Sequence, residues 1–449
     1  MHGRAEPACK LLEAVGRARR WPQGLYVHVP YCPSKCPYCD FNSYALPNGD
    51  AGREMVEALL AEARGWARLA REAQGGFRTV FVGGGTPTVL AASELGRLLE
   101  GLRTLLPLDR VEEWTVEANP GTLTPGRIAA MRACGVNRVS LGAQSFEPQE
   151  LRRLGRAHTV ADIHRSLDAL REAGFSNINL DLMFALPGQS LRDWEKTLEQ
   201  AIVAGTPHLS TYCLTLADGT PFYRLWRRGL LQMAPEELQA RMYRRAVRRL
   251  GQAGLRRYEV SNFARPGAEC RHNLNYWEAG EYLGIGPGAH SHWAGFRFST
   301  LRSPARYVQA AHRFAEAAKG ARPSSAPTVA FVERPDREQQ MDEHLMLALR
   351  LARGLHRVRF RERFGCWPEQ AYDLHKWQEL QDLGLLRRRG SYWRLTARGF
   401  LVADAVVAAL AAAGRAMRAP AGDKGASQLP SHGEGDEKAG AQPALPRAV

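Results

Sequence analysis

Three cysteines within eleven residues, Tyr31-Cys32-Pro33-Ser34-Lys35-Cys36-Pro37-Tyr38-Cys39-Asp40-Phe41, constrain this chain more than any other feature. The spacing C-x3-C-x2-C puts three thiolates on one tight loop. A [4Fe–4S] cluster is ordinarily held by four thiolates. No fourth cysteine follows nearby, so one iron would stay open to a small chelating molecule. Structural zinc is the competing reading, with His28 or Asp40 as the fourth ligand of a closed site. A disulfide framework fits poorly. The other cysteines (Cys9, Cys134, Cys213, Cys270, Cys366) are scattered singly, and the chain shows no secretory signal.

With 449 residues the chain can bury a large core, and length alone suggests two or three domains. The net charge of +15 raises the question of nucleic acid. Yet 54 of the 61 basic residues are arginine and they are spread throughout. The localised basic stripe of a nucleic-acid surface is missing, so no nucleic-acid partner is expected. No apolar run approaches the roughly 18 residues that a membrane helix needs. Residues 1–20 read as a helical lead-in: Glu6 and Glu13 argue against a transit peptide, which is poor in acids. Residues 414–449, rich in Ala, Gly, Pro and Ser without an apolar face, read as a disordered tail.

Between these ends, short apolar strands alternate with amphipathic helical stretches. Strands are expected at 25–29, 79–82, 114–117, 138–141, 177–182 and 209–214, and helices near 51–72, 92–104 and 124–134. Such β–α alternation predicts an α/β fold with a parallel sheet of six units, a partial (β/α)6 barrel over residues 21–300. The chemically notable residues follow strands: the cysteine loop, the turn Gly83-Gly84-Gly85-Thr86-Pro87, Glu117, Gln144 and Asp181. Ligands bind at the carboxyl ends of strands in such folds, so these residues point to one site. A second domain is expected over 301–413. It comprises helices at 341–353, 368–385 and 399–413 and a hairpin over 387–396 turning at Gly390, an order that resembles a winged helix. DNA binding is its functional reading; a packing or lid domain is the simpler one, since fold alone does not give function.

The motifs together resemble a known family. Tyr26-Val27-His28-Val29-Pro30-Tyr31-Cys32 through Asp40-Phe41-Asn42-Ser43, GGGTPT at 83–88, Glu117-Ala118-Asn119-Pro120, Gly142-Ala143-Gln144-Ser145-Phe146, Leu154-Gly155-Arg156 and Asp181-Leu182-Met183 are similar to radical S-adenosylmethionine (SAM) proteins related to oxygen-independent coproporphyrinogen III oxidase. The resemblance implies cluster ligation by Cys32, Cys36 and Cys39, with SAM chelating the open iron. It implies SAM binding by Tyr26, Tyr38, Gly84, Gly85, Thr86, Glu117, Gln144, Arg156 and Asp181, with Thr215 placed by spacing alone. The residue types suit these roles. Carboxylates accept from ribose hydroxyls, a guanidinium grips a carboxylate in a bidentate way, and a carboxamide donates and accepts at once.

Two departures separate branches of that family. The oxidases resemble C-x3-C-x2-C-x-C, whereas this chain has Phe41 at the last position, as in the branch of haem chaperones called HemW. The stretch His272-Asn273-Leu274-Asn275-Tyr276-Trp277 resembles the HNxxYW signature linked to haem in that branch. It implies His272 as a haem ligand, with Tyr276 and Trp277 available to cover the macrocycle; a histidine satisfied inside an aromatic loop is the plainer alternative. His290, after the turn Gly286-Pro287-Gly288, is a further candidate to touch SAM or haem. The expectation is a cytoplasmic haem chaperone carrying [4Fe–4S], SAM and haem, and serving client haemoproteins, among them respiratory and membrane-bound ones. The alternative is an oxygen-independent coproporphyrinogen III oxidase, in which an adenosyl radical attacks propionate side chains.

Overall fold

The computed structural model describes residues 5–47, 49–320 and 325–418. Six strands run parallel and lie side by side in chain order: β1 Gly24–Val29, β2 Thr79–Gly84, β3 Glu113–Ala118, β4 Arg138–Gln144, β5 Asn177–Phe184 and β6 His208–Cys213. Helices connect them, at Ala51–Leu69, Ala92–Leu105, Pro125–Ala133, Val160–Glu172 and Leu191–Val203. The helix starts are set locally: Thr124 accepts from the backbone of Arg127, while Thr159 and Ser190 close capping boxes with Asp162 and Asp193. The α/β reading and its six parallel units are therefore present as expected.

The barrel is partial because both edge strands acquire extra neighbours. Strand Tyr282–Ile285 pairs in parallel with β1, Ile285 lying opposite Val27. The antiparallel strands His290–Trp293, Phe296–Thr300 and Val329–Glu333 extend that edge. On the far side Asn262–Ala264 pairs antiparallel with β6. The sheet still curls: Glu117 on β3 interacts electrostatically with Tyr26 on β1, Asp181 on β5 and Tyr212 on β6.

A domain boundary at residue 300 is expected from the sequence, but the first compact unit runs on through Pro335. The reason is packing. Helix Pro304–Ala317 lies against Ala51–Leu69, and Phe314 and Phe298 surround the fully buried Trp66 at ring-centroid distances of 5.0 and 5.4 Å. Strand Val329–Glu333 completes the sheet edge. The second unit, which takes in Tyr276–Glu278 and the chain from Asp336, runs helix, short strand, three helices and hairpin, an order that resembles a winged helix. Its hairpin Leu386–Arg389 with Tyr392–Leu395 turns at Gly390, and its core includes Leu345, Phe360 and the stacked Trp377 and Trp393. The single helix expected over 368–385 is two, Pro368–Ala371 and Leu374–Asp382. Asp373, at φ 61°, breaks it and caps the second piece by accepting from the His375 N–H. The last helix reaches Arg418, so residues 414–418 of the expected tail are helical; the remainder lies outside the described residues.

The crossing of the two long helices is tightest at Gly65, where an added Cβ would lie 2.6 Å from the Phe314 ring. Helix propensity favours alanine over glycine by about 1 kcal/mol, whereas overpacking a close contact costs roughly 1–3 kcal/mol. Gly65→Ala is therefore expected to lower the denaturation midpoint. An unchanged or raised midpoint in thermal or denaturant unfolding would show that the crossing yields easily.

Candidate functional site

Strands buried in a parallel sheet usually read as continuous apolar runs. Here polar residues stand between the apolar ones, except in β2, where Val80-Phe81-Val82 is continuous. Leu25, Val27 and Val29, Val80 and Val82, Trp114 and Val116, Val139 and Leu141, Leu180 and Leu182, and Leu209 join one apolar core with the surrounding helices. The intervening residues face the lumen and bond to one another. Asn179 Nδ2 donates to Asp181 and to Ser140, and Ser140 donates to Asp181 Oδ2 at 3.0 Å. His208 Nδ1 donates to Asn179 Oδ1 at 2.6 Å, and Arg138 reaches Thr115. The result is a polar-lined barrel interior, with its carboxyl end capped by the cysteine loop.

That loop is held from four directions. The Asn42 carbonyl can only accept, so His28 Nε2 donates to it at 2.9 Å, leaving Nδ1 to accept from the Tyr26 hydroxyl at 2.9 Å. Burial pushes His28 down to about 4, which keeps the ring neutral and this tautomer in place. Asn42 Nδ2 donates to the carbonyls of Pro287 and Arg302, tying the loop to the turn before His290. Tyr44 N–H bonds the Pro30 carbonyl, and Phe222 N–H bonds that of Pro37. The three thiols have separate neighbours: Thr86 Oγ1 lies 3.5 Å from Cys32, Arg156 Nη1 3.5 Å from Cys36 and Ser43 Oγ 3.7 Å from Cys39. All three lie close enough to influence one another electrostatically. Among the described residues, however, no three His, Cys, Asp or Glu converge as a single metal ion requires. Three thiols on one loop with a guanidinium at one sulfur suit a cluster held at three corners, whereas structural zinc closes with four ligands. Burial raises Cys32 and Cys39, so ligation must displace their protons, and Arg156 offsets thiolate charge at Cys36.

Most residues implied to hold SAM gather at this mouth. Gly84, at φ 102°, sits where a Cβ would strike the His28 ring, and its N–H donates to Glu117 Oε2 at 2.9 Å. Gly85 lies against the Tyr31 backbone, and Thr86 accepts from Asn119 Nδ2 at 2.7 Å. Arg156 donates to Gly142 O at 2.9 Å and to Asn119 Oδ1, while its Nε is buried without a partner. Gln144 holds a left-handed backbone at φ 66° where the β4–β5 register slips. Gly142, lacking a Cβ, lets Asn119, Gln144 and Arg156 close in together. Tyr38 packs at 6.3 Å on Phe222, and burial raises its hydroxyl. His290 starts the strand beside this end, close enough to His28 to lower it. Thr215, just past the carboxyl end of β6, is exposed, and its hydroxyl donates to the Cys213 carbonyl.

His272 lies elsewhere. It is fully buried at the amino ends of the strands, its Nδ1 2.8 Å from Thr79 Oγ1 and its ring 5.4 Å from Phe81. The Glu113 carboxylate accepts from the N–H groups of Arg271 and His272 at 2.9 and 3.0 Å, capping helix Arg271–Trp277 against the barrel base. The ring is thus enclosed by its neighbours in this structure. Burial drives His272 down to about 3, so it is neutral. Sequence reasoning named His28 only as the fourth ligand of the competing zinc site and assigned no role to Asn42, nor to Asn179, Tyr212 and Glu259 in the lumen. The period-2 polarity of the strands was the signal that marks the strand residues; Glu259, on a turn, had none.

The lumen crowds carboxyls into low dielectric. Burial, then the Asp181 charge, pushes Glu117 up to about 8, and burial pushes Glu259 up to about 7. Glu117 thus binds a proton in the folded state that it loses in the unfolded chain between about pH 4.5 and 8, and its contribution to stability is lost as pH rises through 8. Glu117→Gln, which keeps the acceptor for Gly84, is expected to raise the melting temperature by a few degrees at pH 9 and hardly at pH 5. A gain equal at both pH values would show that Glu117 is not titrating there.

A radical SAM superfamily model matches residues 26–201 and a HemN C-terminal domain model residues 336–402. Along 388 residues the chain is 35% identical to the heme chaperone HemW of Bacillus subtilis (strain 168), covering 86% of this chain and 98% of that one. It is 38% identical to heme chaperone HemW of Mycobacterium tuberculosis (strain ATCC 25618 / H37Rv), covering 87% and 95%, and 34% identical to that of Escherichia coli (strain K12), covering 86% and 97%. Among solved structures, coproporphyrinogen III oxidase HemN from Escherichia coli superposes with a TM-score of 0.76 at 22% identity, over 89% of this chain and 92% of that one. That likeness shows the fold. Similarity running nearly end to end through the curated relatives, together with the radical SAM domain match, places the chain in the HemW family of radical SAM proteins.

Proposed function

We propose that this protein is a haem chaperone that carries a [4Fe–4S] cluster and SAM, binds haem and hands it to client haemoproteins. The observation that carries the reading is near-full-length similarity to proteins named heme chaperone HemW. Phe41, standing where the oxidases have a further cysteine, supports the same branch. Cys32, Cys36 and Cys39 hold the cluster, which when bound supplies an open iron and an electron to SAM. Around it the chain's own residues do the rest. Arg156 offsets negative charge at Cys36, Glu117 and Asp181 accept from hydroxyls in the lumen, and neutral His28 keeps the loop anchored. The clients we favour are respiratory haem proteins, reached from the cytoplasm. No described helix is long and apolar enough to cross a membrane.

His272 remains the proposed axial ligand, but only through a movement. Neutral imidazole is ready to bind iron, yet the ring must leave Thr79 and Phe81, and the helix must leave Glu113. Haem uptake is therefore expected to be gated by that helix. Titration of the anaerobically reconstituted protein should give a Soret shift that His272→Ala abolishes. Glu113→Gln, which weakens the cap, should speed haem association at least several-fold. A Soret shift indifferent to His272→Ala would remove this residue from haem binding.

The polar lumen and the assembled SAM-type residues favour one second reading, oxidative decarboxylation of coproporphyrinogen III. Anaerobic incubation with SAM, reductant and that substrate is expected to leave it unchanged. Protoporphyrinogen formation would reverse the choice.

A further inference from the structure

Beside the cluster loop the chain exposes seven consecutive residues, Arg224-Leu225-Trp226-Arg227-Arg228-Gly229-Leu230, with no acid among them. Leu225 is 38% exposed, Trp226 43% and Leu230 71%. Soluble proteins scatter single apolar residues on their surface, but a contiguous apolar patch marks an interaction site. The segment is not loose. Phe222 is buried, its N–H bonds the Pro37 carbonyl at 3.0 Å and its ring meets Tyr38, so the exposed residues stand on a pedestal fixed to the cluster loop. None of the three arginines forms an ion pair among the described residues; Arg224 donates to the Gly219 carbonyl at 2.9 Å. Asp218, just before the segment, is engaged by the Tyr223 hydroxyl. A second exposed pair, Phe41 (41%) and Tyr44 (40%), lies on the cluster loop itself, with Lys35 5.8 Å from the Tyr44 ring.

We propose that this rim docks the barrel mouth onto an anionic lipid surface. Charge complementarity decides for lipid: three arginines within five residues, in a segment with no acid, are interleaved with leucines and a tryptophan. That is the arrangement in which apolar bodies enter the acyl boundary, aromatic rings settle at headgroup level and guanidinium groups snorkel to phosphates. The chain's net charge of +15 draws it toward the same surface. The inference goes beyond the haem-chaperone reading and does not rest on it: any ligand of this mouth would be exchanged at the bilayer surface.

The test uses the full-length, cluster-loaded protein and two kinds of vesicle, phosphatidylglycerol–phosphatidylcholine mixtures and pure phosphatidylcholine. The parent should sediment with the mixed vesicles and release them in high salt. Each arginine near the surface is worth about five-fold in partitioning, so Arg224→Gln/Arg227→Gln/Arg228→Gln should bind about 100-fold more weakly. Leu225→Ser/Trp226→Ser/Leu230→Ser should lose binding as well. All six residues are exposed, so cluster absorbance and haem titration without vesicles should match the parent; this separates failure here from failure of the chaperone reading. Brominated lipids provide an independent readout, since they should quench the parent more than Trp226→Phe. A parent that ignores mixed vesicles, triple variants that bind like the parent, or quenching unchanged in Trp226→Phe would each overturn the proposal. Capture of an acidic protein with no vesicle binding would assign the rim to a protein partner instead.

Discussion

Everything at the mouth depends on the two-sided character of the six parallel strands. One side of the strands is apolar and packs under helices; outside β2, the other side carries Tyr26, His28, Thr115, Glu117, Asn119, Arg138, Ser140, Asn179, Asp181, His208 and Ser210. A parallel barrel filled with branched aliphatic layers would be a solid core. Here the lumen is bound together by hydrogen bonds whose partners sit on different strands. Breaking one leaves a buried polar group unmatched, at a cost of about 1–3 kcal/mol. The network therefore stiffens the barrel while keeping its inside able to hydrogen-bond a polar ligand.

The cluster loop adds a second dependence, on long-range contacts. Its far end, Asn42, is fixed by His28 on β1 and by carbonyls from the segment that follows strand Tyr282–Ile285. Its middle is fixed by Phe222, beyond β6. The loop thus draws on both edges of the open barrel, and the antiparallel strands that extend the sheet past β1 are part of what positions the thiols. Glycines at 84, 85 and 142 matter for the same reason: each lies where a neighbouring strand or loop approaches too closely for a Cβ.

The opposite end of the barrel is closed by chemistry of another kind. Glu113, Thr79 and Phe81 receive helix Arg271–Trp277 and its histidine. A carboxylate at a helix start and a neutral imidazole under an aromatic ring make a stable plug. The two ends are thus functionally distinct: an electrostatically poised mouth, and a base whose histidine is reached only by moving a helix.

Much of this was legible in the chain itself. The cysteine spacing, the β–α alternation and the strand-end placement of Glu117, Gln144 and Asp181 are local patterns, because strand periodicity, turn glycines and thiolate spacing are set by neighbours in sequence. The split of the helix expected over 368–385, the continuation of the first unit to Pro335 and the burial of His272 were not. The last two depend on contacts between residues far apart in the chain, Phe314 against Trp66, strand Val329–Glu333 at the sheet edge and Glu113 against His272, whereas the helix is split locally by the positive φ of Asp373 and its cap on His375. Local pattern determined which elements form and which side chains carry chemistry. Only tertiary packing decided which end of the barrel each side chain reaches, since burial and dielectric belong to the assembled fold rather than to any segment of it.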